Sequence, residues 1–122
     1  MSILSPLPDA GLACDLNAFT PAQRDHHLAH AEALFGAVLE LRELPDGYTV
    51  RTPDSPDMLA QLADFVAHER LCCPFLNFSI EVTAYGGPIW LRITGPEGAK
   101  SLVAAEITGL LEPQVALAAG LE

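Results

Sequence analysis

The sequence predicts an α+β fold: a two-layer domain in which a four-stranded antiparallel sheet carries helices on one face, in the order α-β-β-α-β-β-α. Three observations point there. Two segments open with a serine or threonine followed by proline, the form of a capped helix start. Two others alternate apolar and polar residues around a tight turn, the form of a hairpin. In the second hairpin one face of each strand is apolar, so the sheet is covered on one side.

Taken in order, Thr20-Pro21-Ala22-Gln23 reads as a capping box and starts a helix that runs to about Leu39. Its apolar stripe is Leu28, Ala31, Phe35 and Val38, with Leu34 and Leu39 on the flanks. Glu40 to Leu44 and Tyr48 to Thr52 then enclose Pro45-Asp46-Gly47, a hairpin turn. Ser55-Pro56-Asp57 opens the second helix, with Leu59, Leu62, Phe65 and Val66 on one face. It runs to about Cys72 and stops before Pro74, because proline disfavours helical geometry in the residue ahead of it. Phe78, Ile80, Val82 and Ala84 alternate with Ser79, Glu81 and Thr83, Ile89, Leu91 and Ile93 alternate with Trp90, Arg92 and Thr94, and Gly86-Gly87 separates the two runs. Gly95-Pro96-Glu97-Gly98 is a turn and cap ahead of a third helix, Ala99 to Leu111. The expected organisation is an N-terminal extension, 1–19, packed on a single domain, 20–112, with an alanine-rich tail, 113–122, that is a short helix or a frayed end.

A chain of 122 residues, half of them hydrophobic, supports one core and not two. The formal charge of −10, with no local cluster of Lys or Arg, disfavours nucleic acid and anionic membrane surfaces as partners. No apolar run reaches the ~20 residues of a membrane span, and Met1 to Leu12 has no basic segment followed by an apolar one. Three cysteines without an export signal are expected in a reducing cytoplasm, as free thiols, metal ligands or packing groups.

Two of those cysteines, Cys72 and Cys73, are adjacent at the corner where the second helix meets the following strand. His68 lies four residues before Cys72, so an imidazole and a thiolate share one helix face and can share one soft metal ion. Glu69 falls on the stripe of Leu59, Leu62 and Val66, where the pattern wants an apolar residue. A carboxylate there needs a partner. Arg24, in line with Leu28, Ala31 and Phe35, is the expected one. Cys14, just ahead of the first helix, is placed by the same geometry near the pair as a third thiol. The cysteines end a helix, where the dipole opposes thiolate formation, so a self-activated nucleophile is disfavoured while a thiophilic ion, bringing its own charge, is not. Of the remaining histidines, His26 and His30 are four apart but are expected to face solvent as an incomplete metal site. Trp90 and Tyr85, on the outer face of the sheet, suit a homodimer contact or a ligand platform.

The segments Glu69-Arg70-Leu71-Cys72-Cys73-Pro74-Phe75-Leu76-Asn77-Phe78 and Ile93-Thr94-Gly95-Pro96-Glu97-Gly98-Ala99-Lys100 resemble those of a group of small, largely uncharacterised bacterial proteins with E-R-x-C-C-P-F-x-x-F and I-T-G-P-x-G-A-K segments. The resemblance covers about Cys14 to Leu111. Some members of that group occur among heavy-metal or organomercurial resistance genes, which implies thiol handling of soft metals. The resulting expectation is a small cytoplasmic protein that binds a thiophilic metal, metalloid or small electrophile through Cys72 and Cys73, assisted by Cys14 or His68 and supported by Glu69 and Arg24. Its cofactor, if it has one, is a soft ion, zinc-like or mercury-like. Binding or transfer is favoured over turnover. The alternatives are a non-enzymatic dimeric interaction domain with packing cysteines, and a thiol redox protein that cycles Cys14 against the vicinal pair.

Overall fold

The structure, a computed structural model, describes residues 14–121; the first thirteen residues of the expected N-terminal extension lie outside the described residues. After a 3-10 turn at Leu16–Ala18 the elements are α1 (Pro21–Gly36), β1 (Glu40–Leu44), β2 (Gly47–Thr52), α2 (Pro56–Cys72), β3 (Asn77–Val82), β4 (Ile89–Thr94), α3 (Ala99–Ile107) and α4 (Pro113–Ala118). The four strands form one antiparallel sheet in the order β1-β2-β4-β3. The α+β class is therefore the one read from the sequence, with two hairpins joined side by side through β2 and β4.

Each helix start is fixed by its cap. Thr20 Oγ1 accepts from the Gln23 amide at 3.1 Å while Gln23 Oε1 accepts from the Thr20 amide at 3.0 Å, which satisfies two otherwise orphaned donors of α1. Ser55 Oγ accepts from the Met58 amide at 3.0 Å at the head of α2. α1 ends at Gly36 and not at Leu39, because the Leu39 amide donates to Arg51 O of β2 and so enters the sheet. The third helix likewise stops at Ile107. A turn through Leu111 follows, and Pro113 starts the separate helix α4 against β1.

Two glycines are required by position. A side chain on Gly47, at the β1–β2 turn, would strike the Ile93 carbonyl oxygen of β4 and lie 2.8 Å from Thr94 Cα. Gly98, the N-cap of α3, has φ 93°, which L side chains rarely adopt. The second hairpin turns on Tyr85-Gly86 and not on Gly86-Gly87: both have positive φ, 60° and 71°, the pattern of a type I′ turn, and the Gly87 amide donates to Ala84 O.

All three long helices pack on the face of the sheet formed by Leu41, Tyr48, Val50, Ile89, Leu91 and Ile93. Leu34, Phe35, Leu62 and Phe65 from α1 and α2 fill the core above it. Each such side chain removed from water contributes about 1.5–3 kcal/mol. The Phe65 ring meets Phe35 and Phe78 edge-on, at centroid distances of 5.4 and 6.4 Å, and this cluster fixes how α1 and α2 sit against each other. On the opposite face of the sheet the Arg42 guanidinium lies 4.5 Å from the Trp90 ring and pairs with Glu40, which also holds Arg51. No helix among the described residues is long and apolar enough to cross a membrane.

Candidate functional site at the cysteine corner

The buried stripe of α1 is rotated by about one position from the expected one. Leu28 is half exposed, and His27, Ala31, Leu34 and Phe35 face the core. Choosing the more hydrophobic of two neighbours favoured Leu28, yet the spacing from 27 to 31 to 35 is equally helical. His27 is the site residue that this choice missed. Its ring is 2 % exposed, stacked on Phe65 at 5.4 Å and tilted against Phe19 at 5.3 Å, so its orientation is set by packing.

From that position His27 Nε2 reaches Glu69 Oε1 at 2.7 Å. Glu69 thus has a hydrogen-bonding partner on α1, but that partner is His27 and not Arg24, which lies nearly a helical turn earlier. The second ring nitrogen of His27, Nδ1, packs without a polar contact. It is the buried side-chain nitrogen or oxygen among the described residues that has no hydrogen-bond partner.

The end of α2 brings the thiols to the same carboxylate. Cys73 closes the helix, its amide donating to Glu69 O at 2.8 Å. The Asp15 amide donates to Cys72 O at 2.8 Å, so the chain ahead of α1 is pinned across the helix end with Cys14 beside Cys73. Cys14 and Cys73 are joined by a disulfide, and Cys72 is the free thiol. Cys72 Sγ lies 3.5 Å from Cys73 Sγ and 3.6 Å from Glu69 Oε1. Burial, followed by the Glu69 charge and its hydrogen bond, pushes the Cys72 thiol up to about 12, so it stays protonated at neutral pH. One ligand atom each from Cys14, Glu69, Cys72 and Cys73 falls within 4.8 Å of the others. His68 does not join them. Its Nδ1 is held at 2.8 Å by Asp64 O, one turn back on its own helix.

This cluster forms the polar end of an apolar groove of about 510 Å³ between α1 and α3, floored by Phe35, Phe65 and Ile93. Glu106 of α3 borders the same groove. The residue as a whole is exposed, but burial of the carboxyl beside the apolar wall, then the Glu69 charge, pushes it up to about 7. Leu102 and Glu106 of α3, and Leu110 in the turn after it, line the groove at four-residue spacing, and an acid interrupting an apolar row is the sequence signal that would have found it. Because the folded-state value lies above the ordinary 4.5, native protein binds more protons than unfolded protein between pH 4.5 and about 7. Stability from this group is therefore greatest at acid pH and falls as pH rises through that window. Glu106→Gln is expected to be more stable than wild type at pH 8 by about 1 kcal/mol, after discounting for solvent screening, and no more stable at pH 4. Urea unfolding at the two pH values reads this, and an equal effect at both would refute it.

No family model, curated protein or solved structure matches the chain.

Proposed function

We propose that the reduced protein binds a thiophilic metal ion, metalloid or small soft electrophile at the Cys14, Cys72 and Cys73 thiols, with the apolar groove receiving any organic group that the soft centre carries. The observation that carries this reading is the convergence of three sulfurs and the Glu69 carboxylate within 4.8 Å at the end of that groove. Two thiolates on one tetrahedral ion with bonds of about 2.3 Å stand about 3.8 Å apart. The Cys72 and Cys73 sulfurs stand 3.5 Å apart even with Cys73 in its disulfide, so small movements suffice. Reduction by a dithiol breaks the Cys14–Cys73 bond and yields two thiols as the dithiol becomes a disulfide. A bound cation then displaces the thiol protons, which compensates for the raised pKa of Cys72. Glu69, hydrogen-bonded to His27, lies close enough to receive one of them.

Cys72 and Cys73 are buried, as packing residues would be, but Cys72 and the partly buried Cys14 form part of the groove wall, which favours a site. The disulfide supports a second reading, in which the same three sulfurs cycle as a thiol redox centre. The reducing, cytoplasmic setting and the likeness to metal-resistance proteins belong to this proposal, as does a homodimer.

Native mass spectrometry of reduced protein with mercuric, arsenite and zinc ions is the test, run beside Cys72→Ser/Cys73→Ser. A tight one-to-one adduct that is lost in the variant is expected. No adduct with reduced wild type, together with formation of a single Cys14-linked disulfide in good yield on mild oxidation, would transfer the assignment to the redox reading.

A further inference from the structure

The four histidines of the chain all lie along the α1–α2 contact. Only His27 takes part in the cysteine corner. The other three surround Asp64 of α2: its Oδ2 lies 2.7 Å from His30 Nδ1 and 3.4 Å from His26 Nε2, and its Oδ1 lies 3.5 Å from His68 Nδ1. The sequence expectation of solvent-facing imidazoles holds for His26 and is corrected for His30. His30 is only 14 % exposed, and α2 contributes the third donor.

We propose that His26, His30 and Asp64 form a second site, independent of the cysteines, for a borderline divalent cation of the zinc, cobalt or nickel class. The donor set is the argument. Two imidazoles and one carboxylate suit such ions better than they suit calcium or magnesium, which prefer oxygen, or soft ions, which prefer sulfur. The three ligand atoms lie within 4.8 Å of one another. Bonds of about 2.0–2.1 Å with tetrahedral angles place ligand atoms about 3.3 Å apart. The His26–Asp64 distance already meets this, and the His30–Asp64 pair must open by roughly 0.6 Å as its hydrogen bond gives way to two metal bonds.

His68 is the positioning residue. Its Nδ1 faces both the main-chain oxygen and Oδ1 of Asp64, which turns Oδ2 toward α1, the kind of outer contact that orients metal-binding carboxylates. Three protein ligands at a surface position leave the fourth place for water or for a group from a ligand. The ion would bridge α1 and α2 next to His27 and so stiffen one wall of the groove.

The test is cobalt(II) titration of oxidised, tag-free protein, in which Cys72 is the single free thiol. Expected are one equivalent bound, visible ligand-field bands, no thiolate charge-transfer absorption, and affinity unchanged in Cys72→Ala. His26→Ala, at the most exposed ligand, and Asp64→Asn should each weaken binding at least tenfold, and His68→Ala by roughly tenfold, in the range that outer contacts carry. Circular dichroism confirms that the variants are folded. Absence of stoichiometric cobalt binding, thiolate bands in the spectrum, or unchanged affinity in both His26→Ala and Asp64→Asn would overturn the proposal. None of these outcomes depends on the soft-metal reading of the cysteine corner.

Discussion

His27→Ala is expected to destabilise the protein by about 3 kcal/mol, the upper end of what leaving a buried hydrogen-bonding group unsatisfied costs. For a chain of this size that corresponds to a fall in Tm of roughly 10 °C. The reason is what the variant leaves behind. Glu69 has 13 % of its side chain exposed and its other near neighbours are sulfurs, so removal of His27 strands a carboxylate against the groove with no cationic or N–H partner. It also deletes the ring that fills the space between Phe19 and Phe65. Two companion variants separate these effects. Glu69→Gln keeps an acceptor for Nε2 and is expected to cost only about 1 kcal/mol. The double change His27→Leu with Glu69→Met removes both polar groups and should recover most of the loss, since apolar isosteres often replace a buried pair without penalty. Urea unfolding of the set is the measurement. A His27→Ala variant within 0.5 kcal/mol of wild type would show that the pair does not matter to the fold.

The second large effect belongs to the disulfide. Cys14 and Cys73 are 59 residues apart, and closing a loop of that length removes chain entropy from the unfolded state worth about 4 kcal/mol. Oxidised wild type should therefore unfold at a markedly higher urea concentration than reduced wild type. Cys14→Ser should match the reduced protein and ignore added reductant. An unfolding midpoint in wild type that does not respond to reductant would mean that the bond contributes nothing in solution.

The sheet was legible in the sequence because its signals are local: alternation, a Pro-Asp-Gly turn, and caps whose partners lie three residues away. The site was legible to the extent that one helix carries it. Glu69 and Cys73 stood out because an acid and a thiol occur where the apolar stripe of α2 should continue, and Cys72 because it adjoins Cys73 at the helix end. What was not legible is the facing element. Whether α1 turns Leu28 or His27 inward is settled by Phe65 and Phe19, whose rings hold an imidazole flat, and neither contact is visible in a periodicity. The pairing of Asp64 with His26 and His30 is hidden for the same reason, since it spans two helices separated by a hairpin. Choosing Arg24 for Glu69 followed charge complementarity, but the register between α1 and α2 brings position 27 to the carboxylate.

The hydrogen bond from the Asp15 amide to Cys72 O bears on which ions the corner would select. It anchors the residue next to Cys14 directly on the end of α2, so in the reduced protein the third thiol arrives from millimolar or higher effective concentration instead of from a free tail. An ion satisfied by two sulfurs gains nothing from this. An ion that takes three binds more tightly by the whole of that local enrichment and, once seated, closes the same 59-residue loop that the disulfide closes. On the proposed reading the tether would discriminate by coordination number, favouring three-coordinate thiophiles over linear ones without any difference in the thiols themselves.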